Sequence, residues 1–483
     1  MILTHAQKPR LAIVGGGMAG MAAALAAAER GFDVELFEQG LALGGRAGSF
    51  HDTQVDQLVD FSPHISMGCC TNLADFCRRT GVDKAFDRDR TLHFIDSSGK
   101  RYEFTGSRWL PAPLHLLPGL FGLGYLSLAD RLSIARALLK LIRSCPVDSP
   151  DSPTMAHWLA KARQSKAAVD GFWSIVLVSA LGDTLEHVSV SAARKVFLDG
   201  FCATQSAYEV LVPKAPLQEL WNQAGKRLAE CGVKIHLKTP VRRVVVENGK
   251  AQAIELNDGT TCGVDFVIAA VSWKQIARLL GSEHAVAATS CANLASSPIT
   301  AVHLWFDRPI TPLPHAAIVG RLSQWLFAMG HDGTWENGDS LKSQSLHHYA
   351  VVISASQGLS DRDRNGIRQE VLSDLAALWS ESRAAELIHS RVLTQASAVF
   401  SVSPGSDRWR PPATGGLANR FLAGDWTSTG WPATMEGAVR SGYQAVEALL
   451  ASAGRPERIV VPDLKKGLLV RLIAGNCHCS SPG

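Results

Sequence analysis

Charge is what this sequence has little of: Asp, Glu, Lys and Arg together make up 19% of its 483 residues. The two signs nearly cancel, with 48 Lys plus Arg against 44 Asp plus Glu, so no basic excess argues for nucleic acid and none is expected as a partner. Internal repeats and extended low-complexity stretches are absent too, which sets aside solenoids and long disordered arms. The ten cysteines are scattered rather than arranged as a secreted disulfide framework, and the adjacent pair Cys69-Cys70 is poorly placed for an unstrained bridge. Reduced thiols in the cytoplasm are therefore expected. The first apolar strand begins about ten residues in, leaving no room for a signal peptide of ordinary length. Cys477-His478-Cys479 offers too few ligands for a metal centre, and no metal is expected. What remains is 46% apolar residues, enough for two or three folding regions, a large core and a greasy pocket.

The informative start is Ala-Ile-Val-Gly-Gly-Gly-Met-Ala-Gly, Ala12 to Gly20, an apolar strand running into a glycine turn. Gly15 allows the sharp turn, Gly17 lets backbone approach a pyrophosphate, and Gly20 lets the next helix pack on the strand. Met18 and Ala19 open that helix, whose free N–H groups and dipole favour an anion. A second strand, Asp33 to Phe37, ends in Glu38, at the spacing of an acidic residue that binds a ribose hydroxyl.

A second glycine turn, Gly44-Gly45-Arg46, follows at once, and a plain nicotinamide domain has no need of one. Near the other end, Phe421 to Trp426 reads as a strand delivering Gly424 and Asp425 to a ligand. A loop from Gly430 then leads into a helix beginning near Thr434 and Met435. Together these pieces predict a flavoprotein that binds FAD. Segments near 1–70, 210–290 and 415–452 are expected to form a discontinuous Rossmann-like FAD-binding domain. Segments 71–209 and 291–414 would form an inserted α+β substrate domain, and 453–483 a C-terminal tail. The whole is of α/β class. Within the middle FAD segment, Asn248-Gly249 and Asp258-Gly259 are hairpin signals. The first insertion reads as helix-rich, with Leu128, Leu132, Ala135, Leu138, Leu139 and Ile142 at helical spacing.

These motifs, in this order, resemble the amine-oxidase and phytoene-desaturase superfamily over most of the chain. Several runs resemble one branch more closely, the squalene-associated FAD-dependent desaturases, also described as hydroxysqualene dehydroxylases. They are Trp109 to Pro118, Leu126 to Leu132, Phe172 to Leu181, Val212 to Leu217 and Gly430 to Glu436. The resemblance implies reductive removal of the hydroxyl of hydroxysqualene to give squalene, in hopanoid or related triterpenoid synthesis. It also implies that Val241 lies beside the adenine. Where that branch carries Asp-Asn-Gly-Gln-His, this chain has Asp60-Phe61-Ser62-Pro63-His64, so the outer Asp and His survive while proline stiffens the bend.

An allylic hydroxyl leaves poorly without a proton donor or hydrogen-bonding group. Asp60 and His64, close behind the cofactor turns, are the first acid candidates, and Asp183 is the second choice. Trp173, Trp305 and Trp431 are candidate walls for an isoprenoid pocket. No second glycine fingerprint for a nicotinamide is present, so an external electron donor is expected. Leu110 to Ala129 lacks Asp until position 130 and contains no Glu, Lys or Arg, yet its prolines and glycines argue against a continuous spanning helix. With the basic amphipathic stretch that follows, it suits peripheral contact with the inner face of the cytoplasmic membrane, or an internal apolar cavity. A carotenoid-type desaturase and, further off, an amine oxidase stay open as alternatives.

Overall fold

The computed structural model describes residues 8–281, 286–329, 346–414, 416 and 418–475. The Cys477-His478-Cys479 run lies outside the described residues. At the centre stands a five-stranded parallel sheet in the order Lys234–His236, Asp33–Phe37, Arg10–Val14, Phe266–Ala269, Arg420–Leu422. Its strands come from all three segments in which the cofactor motifs occur. Helices cover it, so Leu11 to Val14 and Val267 to Ala269 are buried without alternation, as a two-sided parallel sheet requires. Strand order reverses on either side of Arg10–Val14, and the first glycine turn sits at the carboxyl end of that strand, where ligands bind in such sheets.

Helix Met18–Ala28 is almost entirely small because it is hemmed in on every side. A Cβ on Gly20 would lie 1.8 Å from the Gly15 carbonyl oxygen, and one on Gly442 would lie 2.3 Å from that of Ala19. Helix Met435–Ser452 thus packs its small face directly on the first helix. The two hairpin signals hold: Val241–Glu247, Lys250–Leu256 and Thr261–Gly263 form an antiparallel sheet, with Asn248 and Gly249 both at positive φ.

A seven-stranded sheet runs Leu387–Phe400, Ser296–Phe306, His347–Ser354, Trp325–Met329, His315–Ile318, Thr91–Ile95, Arg101–Thr105. It joins strands from both insertions through the parallel pairing of Ala317 with Phe94. The first insertion therefore opens with helix Thr71–Thr80, continues through strands between Phe86 and Thr105, and is helical after them. Helix Leu128–Arg143 begins at a capping box in which the Ser127 and Asp130 side chains each accept from the other's backbone N–H. The apolar run before it is broken into a short turn, Leu114–Leu116, and a short helix, Leu117–Gly122. Among the described residues no helix is long and apolar enough to cross a membrane.

Residues 453–475 do not trail away. Helix Leu468–Ala474 buries Val470 and Ala474 and packs against Leu128–Arg143. The expectation of reduced thiols also needs one correction: Cys145 is disulfide-bonded, whereas Cys69, Cys70, Cys77, Cys202, Cys231, Cys262 and Cys291 are free.

Candidate active site

One cavity of about 860 Å³ begins at the glycine turns and ends against the seven-stranded sheet. Its first part is built almost wholly from backbone. The two glycine turns run side by side: Gly44 N–H donates to the Gly16 carbonyl at 2.9 Å, and Gly17 and Gly44 form a parallel bridge. Gly15, Gly17, Met18, Ala19, Gly44, Gly45 and Arg46 all line the cavity, whereas Gly20 is spent on packing the helix. A Cβ on Gly17 would find no protein atom closer than 4.0 Å, so a side chain there would fill the cradle itself. The first turn of Met18–Ala28 carries no acidic residue, leaving its free N–H groups for a diphosphate. Glu38 is held ready by two backbone donors, Gly16 N–H at 2.7 Å and Gly40 N–H at 2.6 Å. Val241 stands at the same end, buried but lining the cavity.

Gly424, Asp425, Thr434 and Met435 close the opposite side. Asp425, nearly inaccessible, is ion-paired with Arg46, which also donates to the Ala398 carbonyl and lies over the Trp273 ring. The Thr434 hydroxyl caps helix Met435–Ser452 by accepting from Gly437 N–H at 3.1 Å. The donor set therefore fits FAD. One helix N-terminus and two glycine turns would hold its diphosphate, the fixed carboxylate of Glu38 would hold its ribose, and a second helix N-terminus stands across the cavity.

The sequence-predicted acids separate. His64 lines the cavity, half-buried, and its Nδ1–H donates to the Ser62 carbonyl at 2.7 Å. Burial, and to a lesser degree the Arg46 charge, lowers its pKa against the pull of that carbonyl. With the proton on Nδ1 committed to that carbonyl, the ring offers Nε2 as an acceptor rather than an acid. Asp60 does not reach the wall. It is buried 3% exposed, its Oδ1 accepting from Ser49 Oγ at 2.5 Å and Leu217 N–H at 2.8 Å, and burial pushes its pKa up to about 6. Asp183 is also outside: its Oδ1 ties Thr184 N–H, the His187 ring and the Gln357 amide into the turn after Gly182.

The tryptophans divide in the same way. Trp431 lines the cavity, its Nε1–H donating to Asp463 at 3.1 Å, with Lys195 4.6 Å and Arg440 5.6 Å from its ring. Trp173 is wholly buried against Phe172 and Phe197. Trp305 is wholly buried too, stacked on His348 at 4.1 Å. Both are core, because a large apolar ring reads the same in a sequence whether it walls a pocket or fills an interior. The far wall that sequence reasoning missed comprises Leu92, Phe94, Ile175, His315, Trp325 and Phe327. Five of the six lie on strands that carry no local motif, and Ile175 lies on helix Ser174–Leu181; only the packing of distant segments brings them together.

Comparison with known proteins agrees with this geometry. A zeta-carotene desaturase from Synechocystis sp. is 25% identical over 94% of this chain and 99% of its own. A hydroxysqualene dehydroxylase from Sinorhizobium fredii is 26% identical over 91% and 98%. An oxidoreductase of known structure from Methanosarcina mazei superposes with a TM-score of 0.68 at 17% identity, covering 91% of this chain and all of that one. The family model of flavin-containing amine oxidoreductases matches residues 18–450. The chain belongs to that family and is an FAD-dependent oxidoreductase.

Proposed function

We propose that the protein removes the hydroxyl of hydroxysqualene reductively, giving squalene. The observation that carries this reading is the continuity of the cavity: the backbone cradle for FAD opens directly into a chamber walled by Leu92, Phe94, Ile175, Val176, Trp325 and Phe327. Such a chamber suits an isoprenoid chain, and the runs that resemble the dehydroxylase branch choose the alcohol among isoprenoids. Bound FAD in its reduced form supplies a hydride and a proton, so that R–OH becomes R–H and water while the flavin is oxidised. The chain orients and shields. Arg46 and Asp425 hold the two glycine turns and the Gly424 strand together around the cofactor. His64 offers a neutral acceptor, and the apolar wall keeps bulk water from the reacting carbons.

Carotene desaturation is the second reading, favoured by the near full-length similarity to the Synechocystis enzyme. An amine substrate fits less well. The cavity-lining Trp431 already faces two cations, and the carboxylate of Glu436 is spent on Asn72 and on the N–H of Leu73.

The same reading places the protein on a lipid surface. Trp109 is 93% exposed, and Leu468 and Leu472 are 68% and 71% exposed. The Trp109 loop and helix Leu468–Ala474 are neighbours, since Gln205 holds the Arg108 and Leu110 carbonyls while Gly467 N–H donates to Ala203. Exposed Arg108, Lys465 and Arg471 flank these apolar side chains and complement anionic headgroups. The test of the reaction is incubation of the reduced holoprotein with hydroxysqualene, zeta-carotene, phytoene and simple amines, with extraction of products. Squalene from hydroxysqualene is expected; desaturated carotenes alone would select the second reading.

A further inference from the structure

In the apolar end of the cavity one side chain is out of keeping with its surroundings. His315 is 1% exposed, and neither ring nitrogen makes a hydrogen bond of good geometry among the described residues, the Thr91 carbonyl being the one backbone acceptor the ring faces. Its strand, His315–Ile318, alternates: Ala316 and Ile318 go to the core behind the sheet, whereas His315 shares the cavity face with Trp325 and Phe327 of the next strand. The Trp325 and Phe327 rings are 6.3 and 6.4 Å away. His93 lies 5.4 Å off, ring to ring, and Asp89 Oδ2 stands 3.8 Å from Nδ1, too far for a hydrogen bond. Burying an imidazole in such company is costly unless something supplies its partner, and buried polar groups in folded proteins nearly always have one.

We infer that His315 is the hydrogen-bonding anchor for a hydroxyl oxygen of the substrate, and so the residue that distinguishes an isoprenoid alcohol from a bare hydrocarbon. This rests on the reading of the substrate as an alcohol. A hydroxyl suits the site because it both donates and accepts, and so satisfies either tautomer of a neutral imidazole. Burial holds the ring below its usual pKa, with His93 acting in the same direction, while Asp89 and the Thr91 carbonyl oppose them. A hydrocarbon filling the chamber would leave the ring without a partner. Sites built to bond a hydroxyl reject the analogue that lacks it for this reason. Asp89 makes the ring a positioned rather than a freely turning partner, since its charge favours a proton on Nδ1. His315 is then a specificity residue, acting on the alcohol without touching the cofactor cradle.

The experiment uses the FAD-loaded full chain and follows perturbation of the flavin spectrum by hydroxysqualene and by squalene at matched detergent concentration. Wild type should bind the alcohol about tenfold or more tightly than the hydrocarbon, the scale of one buried hydrogen bond. His315→Leu should bring the ratio near one by weakening the alcohol alone, with FAD content unchanged. His315→Gln, which keeps a donor and an acceptor, should restore most of the preference, and it carries the test if the leucine variant does not fold. A wild type with no preference, or a leucine variant that keeps it, overturns the inference. Binding ratios are read without turnover, so a failure to reduce hydroxysqualene would defeat the proposed reaction while the role of His315 would still stand or fall on the ratios.

Discussion

At the scale of single residues, burial alone does not make an acid catalytic. Asp60 has the raised pKa expected of a proton donor, yet its carboxyl faces Ser49 and the start of helix Leu217–Glu230 rather than the cavity. Its folded pKa of about 6 exceeds the ordinary 3.8, so the folded state holds the proton more tightly than the unfolded one. The resulting stabilisation is complete below about pH 4 and is lost as pH rises through about 6, a change on the order of 3 kcal/mol. Asp60→Asn imitates the protonated form and keeps both accepted hydrogen bonds. Denaturant melts should show wild type losing stability relative to the asparagine variant between pH 4 and 6, with the variant the more stable at pH 7.5. Turnover of the variant should stay within a few-fold of wild type; a tenfold loss with FAD retained would return Asp60 to the chemistry. Sequence placed Asp60 and His64 together because they are four residues apart, but the chain bends between them at Phe61 and Ser62 and only His64 meets the cavity.

At the scale of elements, the two glycine turns act as one device. Gly45 Cα is close enough to Gly17 that a Cβ on Gly45 would sit 3.2 Å from it, so the cradle is two backbones thick with no side chain between them and the cofactor. Gly17→Leu should leave the strand, the helix and their packing intact, because a Cβ there meets no atom closer than 4.0 Å, but it would fill the place proposed for the diphosphate. The purified variant should fold with a wild-type circular dichroism spectrum and carry less than about a tenth of the wild-type FAD absorbance. A folded variant with full FAD occupancy would show that the diphosphate lies elsewhere. This device was legible in the sequence because each glycine answers a local need: a turn, an approach, a helix packed on a strand. The seven-stranded sheet was not, since its pairing of Thr91–Ile95 with His315–Ile318 joins segments more than two hundred residues apart and neither strand carries a mark of its partner.

At the scale of the whole molecule, apolar surface and apolar cavity belong to one design. Leu110 to Ala129 is partly core, with Leu120, Leu123 and Leu126 buried, while Trp109, Leu110 and Leu114 remain exposed beside helix Leu468–Ala474. The contribution of that last helix was missed because a Ser- and Gly-rich C-terminus reads as a tail, although Asp463, between Lys195 and Arg440, moors the segment beside Trp431. The holoprotein should sediment with anionic liposomes at low salt. Raising the salt should weaken the electrostatic share, screened over about 10 Å at 0.1 M. Leu468→Asp with Leu472→Asp should reduce the bound fraction about tenfold or more, since each leucine transferred from water contributes roughly 1.5–3 kcal/mol. Unchanged sedimentation of the double variant would remove this helix from the lipid surface.

The reaction ties these scales together, and electron counting tests it most directly. Holoprotein photoreduced without oxygen is titrated with hydroxysqualene while the flavin spectrum is followed and squalene is extracted at each step. One squalene formed for each flavin oxidised, with no change in flavin spectrum on adding squalene beyond that of binding, is the predicted result. Loss of the hydroxyl without flavin oxidation, or an inert hydroxysqualene beside a carotene that reduces the oxidised flavin, would contradict it.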